Sequence, residues 1–422
     1  MNDFPNGFMW GASTAAHQVE GNNIHSDFWL MENIEGTRFK EPSGIAVDHY
    51  RLYKEDIARM AELGFNAYRF SIEWARIEPE EGVFNEEAIS HYRDVLASCK
   101  SFNLTPIVTL HHFTSPQWLI RAGGWEDSGT PARFARYCAH VMRELGEQIP
   151  YVCTINEANI AVGIAKAMNN LQKNSSSAQV GMNTDLMTQI QLYYMELSKV
   201  FGVPPQDIHT FLAPRSDKGL EIIFKSHVEA RTAIRQYSPQ TKVGLTMSLF
   251  DIQSIPGGEV HAANALEEEF LQFLKYVKDD DFFGLQNYTR EIHGPDGVLP
   301  LSDDAERTQM GYEYYPEALE NAIRCANKQL NMPIIVTENG VGTDDDNRRI
   351  AFIDRALKGV NACLADGIPV KGYMHWSLLD NFEWQLGFSK HFGLIAVDRT
   401  TQERIIKPSA YHLGQIAKRN SL

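Results

Sequence analysis

Two glutamates stand where apolar runs meet polar clusters: Glu157 closes YVCTINE from 151, and Glu338 sits in VTENG from 336. A run of β-branched and apolar residues that stops in this way reads as a buried parallel strand delivering its last side chain to the mouth of a barrel. Two such deliveries can set two carboxyls face to face. Cleavage of an acetal needs that arrangement, because one carboxyl protonates the departing oxygen while the other meets the oxocarbenium-like carbon. Neither glutamate carries the reading alone, since a single carboxylate after an apolar run also serves as a helix cap or a solvated strand end.

The elements that would position the pair recur along the chain. Strand-like runs begin at 7, 65, 104, 151, 242, 282, 333 and 370, and amphipathic helical patterns fall near 48–63, 87–102, 131–148, 219–237, 261–277, 316–331, 348–366 and 409–419. Eight alternations predict an α/β fold, a (β/α)8 TIM barrel with long loops at its carboxyl-terminal face, formed by a single domain over 1–422. A doubly wound open sheet would also alternate, but no Gly-rich phosphate turn follows the first strand. Such barrels need about 250 residues, so the surplus of a 422-residue chain belongs in loops. The longest is 166–215, where NNLQKNSSSAQ from 169 reads as a polar loop and 185–201 as an inserted helix.

Composition narrows the partners. A formal net charge of −15 without a basic patch argues against a nucleic acid, whose phosphates would be repelled. Five scattered cysteines, Cys99, Cys138, Cys153, Cys325 and Cys363, show no metal-type pairing and read as buried reduced thiols. The start MNDFPNGFMW lacks a signal-like pattern and no apolar run approaches membrane-spanning length, so the expectation is a cytoplasmic protein without membrane contact. No cofactor or metal is expected. His111 and His112 are adjacent, but neighbouring strand residues face opposite sides, so only one can reach the mouth.

Several ordered motifs carry a more specific message: GFMWGASTAAHQVEG, YRFSIEWARIEP, TINE, VTENG, HWSLLDNFEW and GFSKHFG. In these the chain resembles glycoside hydrolase family 1, the retaining β-glycosidases, nearly end to end. The resemblance implies Glu157 as general acid/base, Glu338 as nucleophile, Asn156 on the sugar 2-hydroxyl, and Arg69 and Tyr288 beside the nucleophile. It further implies Gln18 and Glu383 as the clamp on the remaining hydroxyls, with His112, Trp376, Trp384 and Phe392 completing a substrate site for small β-glycosides. An adjacent arginine lowers a carboxyl pKa by roughly one to three units, so the expectation is a depressed Glu338 and a Glu157 raised by its charge.

The chain departs from the family pattern at four of these places. Ala158 stands where a proline is usual, which predicts a loosened acid/base loop, and Phe113 replaces a tryptophan. Gln286 stands for asparagine and Asn287 for a tyrosine, with leaving-group contacts expected to suffer. A β-glucosidase acting by double displacement on non-reducing ends is the leading expectation. The alternatives are a 6-phospho-β-glycosidase, which the carboxylate of Glu383 opposes because it would repel phosphate, a transglycosylase, and a non-catalytic sugar-binding relative.

Overall fold

The structure is a computed structural model that describes residues 3–165, 182–213 and 215–422. Its centre is a closed, wholly parallel barrel of β1 (Met9–Ser13), β2 (Ala67–Ser71), β3 (Thr105–Thr109), β4 (Tyr151–Cys153), β5 (Lys242–Ser248), β6 (Phe282–Gln286), β7 (Ile334–Asn339) and β8 (Val370–Trp376). Strands pair in chain order, and β8 returns to β1 with Met9 opposite Gly372. The expected TIM barrel is therefore present. Between and after the strands run α1 (His49–Leu63), α2 (Glu86–Ser101), α3 (Thr130–Leu145), α4 (Asp217–Tyr237), α5 (Glu259–Glu269), α6 (Ala318–Leu330), α7 (Asp346–Ala365) and α8 (Pro408–Arg419).

Each element follows from its residues. The strands are apolar on both faces because one side fills the barrel and the other meets helices, and all six residues of β7 are buried. α3 buries Phe134, Tyr137, Cys138, Val141, Met142 and Leu145, a helical repeat on one side. Side-chain caps fix the helix starts: Asn85 accepts from the N–H groups of Glu87 and Ala88, Ser216 from Gly219 and Asp345 from Asn347. Inside the barrel, Met9, Ala67, Ile107, Cys153, Phe282, Ile335 and Met374 form an apolar plug. Arg69 lies two residues beyond Ala67 on the same face, so the plug forms the floor under it.

Several boundaries differ from expectation. The helix expected over 261–277 ends at Glu269, because the fully buried Phe270 turns inward against Phe283 and the chain resumes as short turns through Val277. β4 stops at Cys153, four residues before Glu157. The inserted helix spans Met182–Phe201, while the whole NNLQKNSSSAQ segment lies within 166–181, outside the described residues. Two small sheets went unpredicted: Asp251–Ser254 with Arg290–Gly294 and Gly297–Val298, and Ile395–Val397 with Arg404–Ile406. All five cysteines are free thiols, and Cys325 is half-buried rather than buried. Among the described residues no helix is long and apolar enough to cross a membrane.

At the carboxyl-terminal rim β7 and β8 approach backbone to backbone. A Cβ added at Gly340 would lie 1.9 Å from the carbonyl oxygen of Trp376. Gly340→Ala must push the two strand ends apart, and an overpacking loss of about 1–3 kcal/mol is expected, read as a lowered denaturation midpoint.

Candidate active site

A buried polar contact lies directly above the apolar plug. Arg69, fully buried, donates from Nη1 to Glu338 Oε1 at 2.5 Å and from Nη2 to Asn156 Oδ1 at 2.6 Å. Tyr288, just past the end of β6, donates its hydroxyl to Glu338 Oε2 at 2.6 Å. β7 reaches this point through a register shift against β6 between Val336 and Glu338, an irregularity of the kind that re-aims a side chain. Gln286 Nε2 donates to Asn156 Oδ1 at 2.7 Å. With its oxygen occupied twice, the amide of Asn156 turns Nδ2 toward His112 Nε2 at 3.2 Å. That ring nitrogen is therefore an acceptor and the proton sits on Nδ1, which has no protein partner.

Glu157 approaches from the loop after β4 with its backbone in the left-handed region, φ 42°. Ser248, the last residue of β5, lies beside its carboxyl and favours its ionised form. Glu157 and Glu338 line one cavity of about 300 Å³ together with Asn156, His112, Tyr288, Trp376, Glu383, Trp384 and Phe392. Arg69 and Gln18 stand behind that wall. Gln18 Nε2 donates to the Phe382 carbonyl at 2.7 Å and to Glu383 Oε2 at 3.4 Å, leaving its buried Oε1 free to accept. Trp376 stacks on His112 at 5.6 Å, and Trp384 stacks on His17 at 6.0 Å. Two carboxyls, unpaired polar atoms on either side and aromatic faces are what a pyranose with several directed hydroxyls requires.

The model of Glycosyl hydrolase family 1 matches residues 1–174 and 263–422. The chain belongs to this family. It is 28% identical over 456 residues to the 1,4-beta-D-glucan glucohydrolase of Thermotoga neapolitana, with all of both chains covered. Among solved structures, beta-glycosidase BGL167 superposes with a TM-score of 0.90 at 46% identity, covering 99% of this chain and 98% of that one. A beta-glucosidase from Thermotoga maritima in complex with cyclophellitol gives 0.83 at 26% identity over the full length of both. As a family member the chain is a glycoside hydrolase.

Every site residue expected from the family 1 resemblance converges on this pocket, and His111 turns away from it to Ser115 and Trp125. The departures behave differently from expectation. Ala158 does not loosen its loop, because its N–H donates to the Thr246 carbonyl at 3.1 Å, a bond that proline could not make. Gln286 reaches Asn156 rather than a leaving-group contact, and Asn287 is a structural tie that donates to the carbonyls of Leu249 and Thr289. Phe113 lines the cavity beside Trp384. The sequence reading missed Ser248, Ile160, Leu249, Phe250, Thr289, Met310 and Tyr312, which also line the cavity. Ser248 could have been found as the end of a strand. Met310 and Tyr312 sit in an aperiodic stretch that gives no signal.

Electrostatically, burial pushes Glu157 up to about 8, with the charge of Glu338 adding to it. Glu383 is likewise pushed up to about 8 by burial and then by Glu338. The expected depression of Glu338 is not found: burial raises it too, because removal from water outweighs the opposing pull of Arg69 and Tyr288. Burial, reinforced by Arg69, holds His112 well below its ordinary value and keeps it neutral. Glu338 is the carboxyl that Arg69 contacts, so it is the first of the three to ionise.

Removing that cation exposes the linkage. Arg69→Met leaves a buried carboxylate unpaired, and a loss of about 3–5 kcal/mol is expected at alkaline pH. The penalty is present where Glu338 is charged and shrinks as pH falls through its pKa, since a neutral carboxyl needs no partner. Denaturant unfolding of both proteins across pH measures it.

Proposed function

We propose that this chain is a single-domain, retaining, exo-acting β-glycosidase that needs no cofactor, with β-glucosides as its first substrates. The observation that carries the reading is the asymmetry of two carboxyls in one cavity: Arg69 and Tyr288 grip Glu338, while Glu157 is held without a cation and keeps its proton. Glu338 is the nucleophile and attacks the anomeric carbon as Glu157 passes its proton to the departing oxygen. The new glycosyl ester is neutral. The charge that had helped raise Glu157 is then gone, its pKa falls, and as a carboxylate it takes a proton from the water that attacks the same carbon. Two displacements restore the original configuration. The route requires the two carboxyls to lie about 5–5.5 Å apart.

Asn156 is aimed for the 2-hydroxyl, held by Arg69 and Gln286. Gln18 Oε1, Glu383 and the Nδ1–H of His112 offer acceptors and a donor to the remaining hydroxyls, over the faces of Trp376 and Trp384. Neutral sugars fit better than 6-phosphorylated ones. Lys390, the cation next along the chain, donates to the Gln309 carbonyl at 2.7 Å and does not line the cavity. Five free thiols favour a reducing, cytoplasmic location.

Incubation with an activated 2-fluoro-β-glucoside and intact mass measurement should give one stable sugar adduct, mapped to Glu338 by peptide analysis. No adduct, or one elsewhere, refutes the assignment. In the pH profile of kcat/KM, activity should decline as pH rises through about 8, where Glu157 loses its proton. Glu157→Gln should abolish that limb and lower kcat/KM on alkyl glucosides by about 10²–10⁴-fold.

A further inference from the structure

The loop that carries Glu157 hangs on one residue of the neighbouring strand. Thr246 of β5 is fully buried. Its hydroxyl accepts from the Glu157 N–H at 3.1 Å and donates to the Ile155 carbonyl at 3.1 Å. Its own carbonyl accepts from the Ala158 N–H at 3.1 Å. The two amides that bracket the α-carbon of Glu157 are thus both anchored on Thr246. Between them lie the only two soft backbone torsions of Glu157, one of which is held at a φ of 42° that L-residues other than Asn and Asp seldom adopt.

The opposing strand makes room for this anchor. Thr246 pairs with Gly284 of β6, and a Cβ built on Gly284 would lie 2.4 Å from the γ-methyl of Thr246. The methyl occupies the slot left by the missing side chain. Because a β-branched residue is stiff at χ1, seating the methyl there also aims the hydroxyl at the Glu157 amide. Thr246 does not line the substrate cavity.

We propose that Thr246 is a positioning residue for acid catalysis, fixing the backbone of Glu157 so that its carboxyl reaches the departing oxygen. The inference rests on the acid role assigned to Glu157 above. It predicts a loss that depends on how much the leaving group needs a proton.

Thr246→Val keeps the shape and main-chain bonds but removes the hydroxyl. With one sugar and two leaving groups, kcat/KM should fall roughly tenfold on an alkyl β-glucoside, part of the 10²–10⁴ that a general acid contributes. On the 2,4-dinitrophenyl β-glucoside, whose leaving group departs as a stable anion, it should hold within about twofold because no acid is needed. Thr246→Ser, which keeps the hydroxyl, should restore the alkyl substrate. Gly284→Ala tests the same anchor from the other side by evicting the γ-methyl. It should cause the same selective loss, smaller in the Thr246→Ser background, and it decides the matter should Thr246→Val not fold. Equal losses on both substrates, or none on either, overturn the inference. A wild-type protein inactive on both would instead overturn the β-glucoside reading proposed above.

Discussion

The buried ion pair of Arg69 and Glu338 is the constraint on which the rest of the site depends. An arginine on the inner face of a barrel, above a plug of apolar side chains, is stable only with a carboxylate and further acceptors around it. Glu338 supplies the charge, and the Thr337 carbonyl and Asn156 Oδ1 accept from two more of its N–H groups. Once Arg69 is committed in this way, Asn156 is oriented, His112 is fixed as an acceptor through one nitrogen, and Glu338 can accept from Tyr288. Hydrogen-bond roles propagate outward from one guanidinium to the cavity wall.

The same enclosure explains the charge distribution. Glu157, Glu338 and Glu383 face one small cavity with a single adjacent guanidinium, so burial raises all three and the charge collects on the one touching Arg69. The roles proposed for Glu338 and Glu157, one ionised and one protonated, both follow from this single asymmetry. The cost is visible in buried atoms left without protein partners, Gln18 Oε1 and His112 Nδ1 among them. Such groups are expensive in a core, and these two lie at the cavity, where a polar ligand would pair them.

Backbone geometry tells a parallel story. Phe113, Glu157 and Trp384 all line the cavity with positive φ, at 70°, 42° and 47°. Strained non-glycine residues persist where their surroundings over-determine them. For Glu157 the surroundings are the two Thr246 bonds. Ala158 is compatible with them because it retains an N–H, so the missing proline is a different solution to holding the same loop.

Apolar periodicity determined the barrel from sequence, because burial on both strand faces and one helix face writes a pattern that needs no tertiary context. The motifs likewise pointed to Arg69, Glu157, Glu338, Tyr288, Gln18 and Glu383, because the resemblance to family 1 carries a role onto each of these positions. What the sequence could not contain was anything set by contact between distant segments. Phe270 breaking its helix, the anchoring of Glu157 and Ala158 by Thr246, and Gln286 reaching Asn156 each depend on which strands lie side by side. The sign of the Glu338 shift belongs there as well: a nearby arginine can be read from a motif, but the depth of burial that opposes it exists only once the chain has closed.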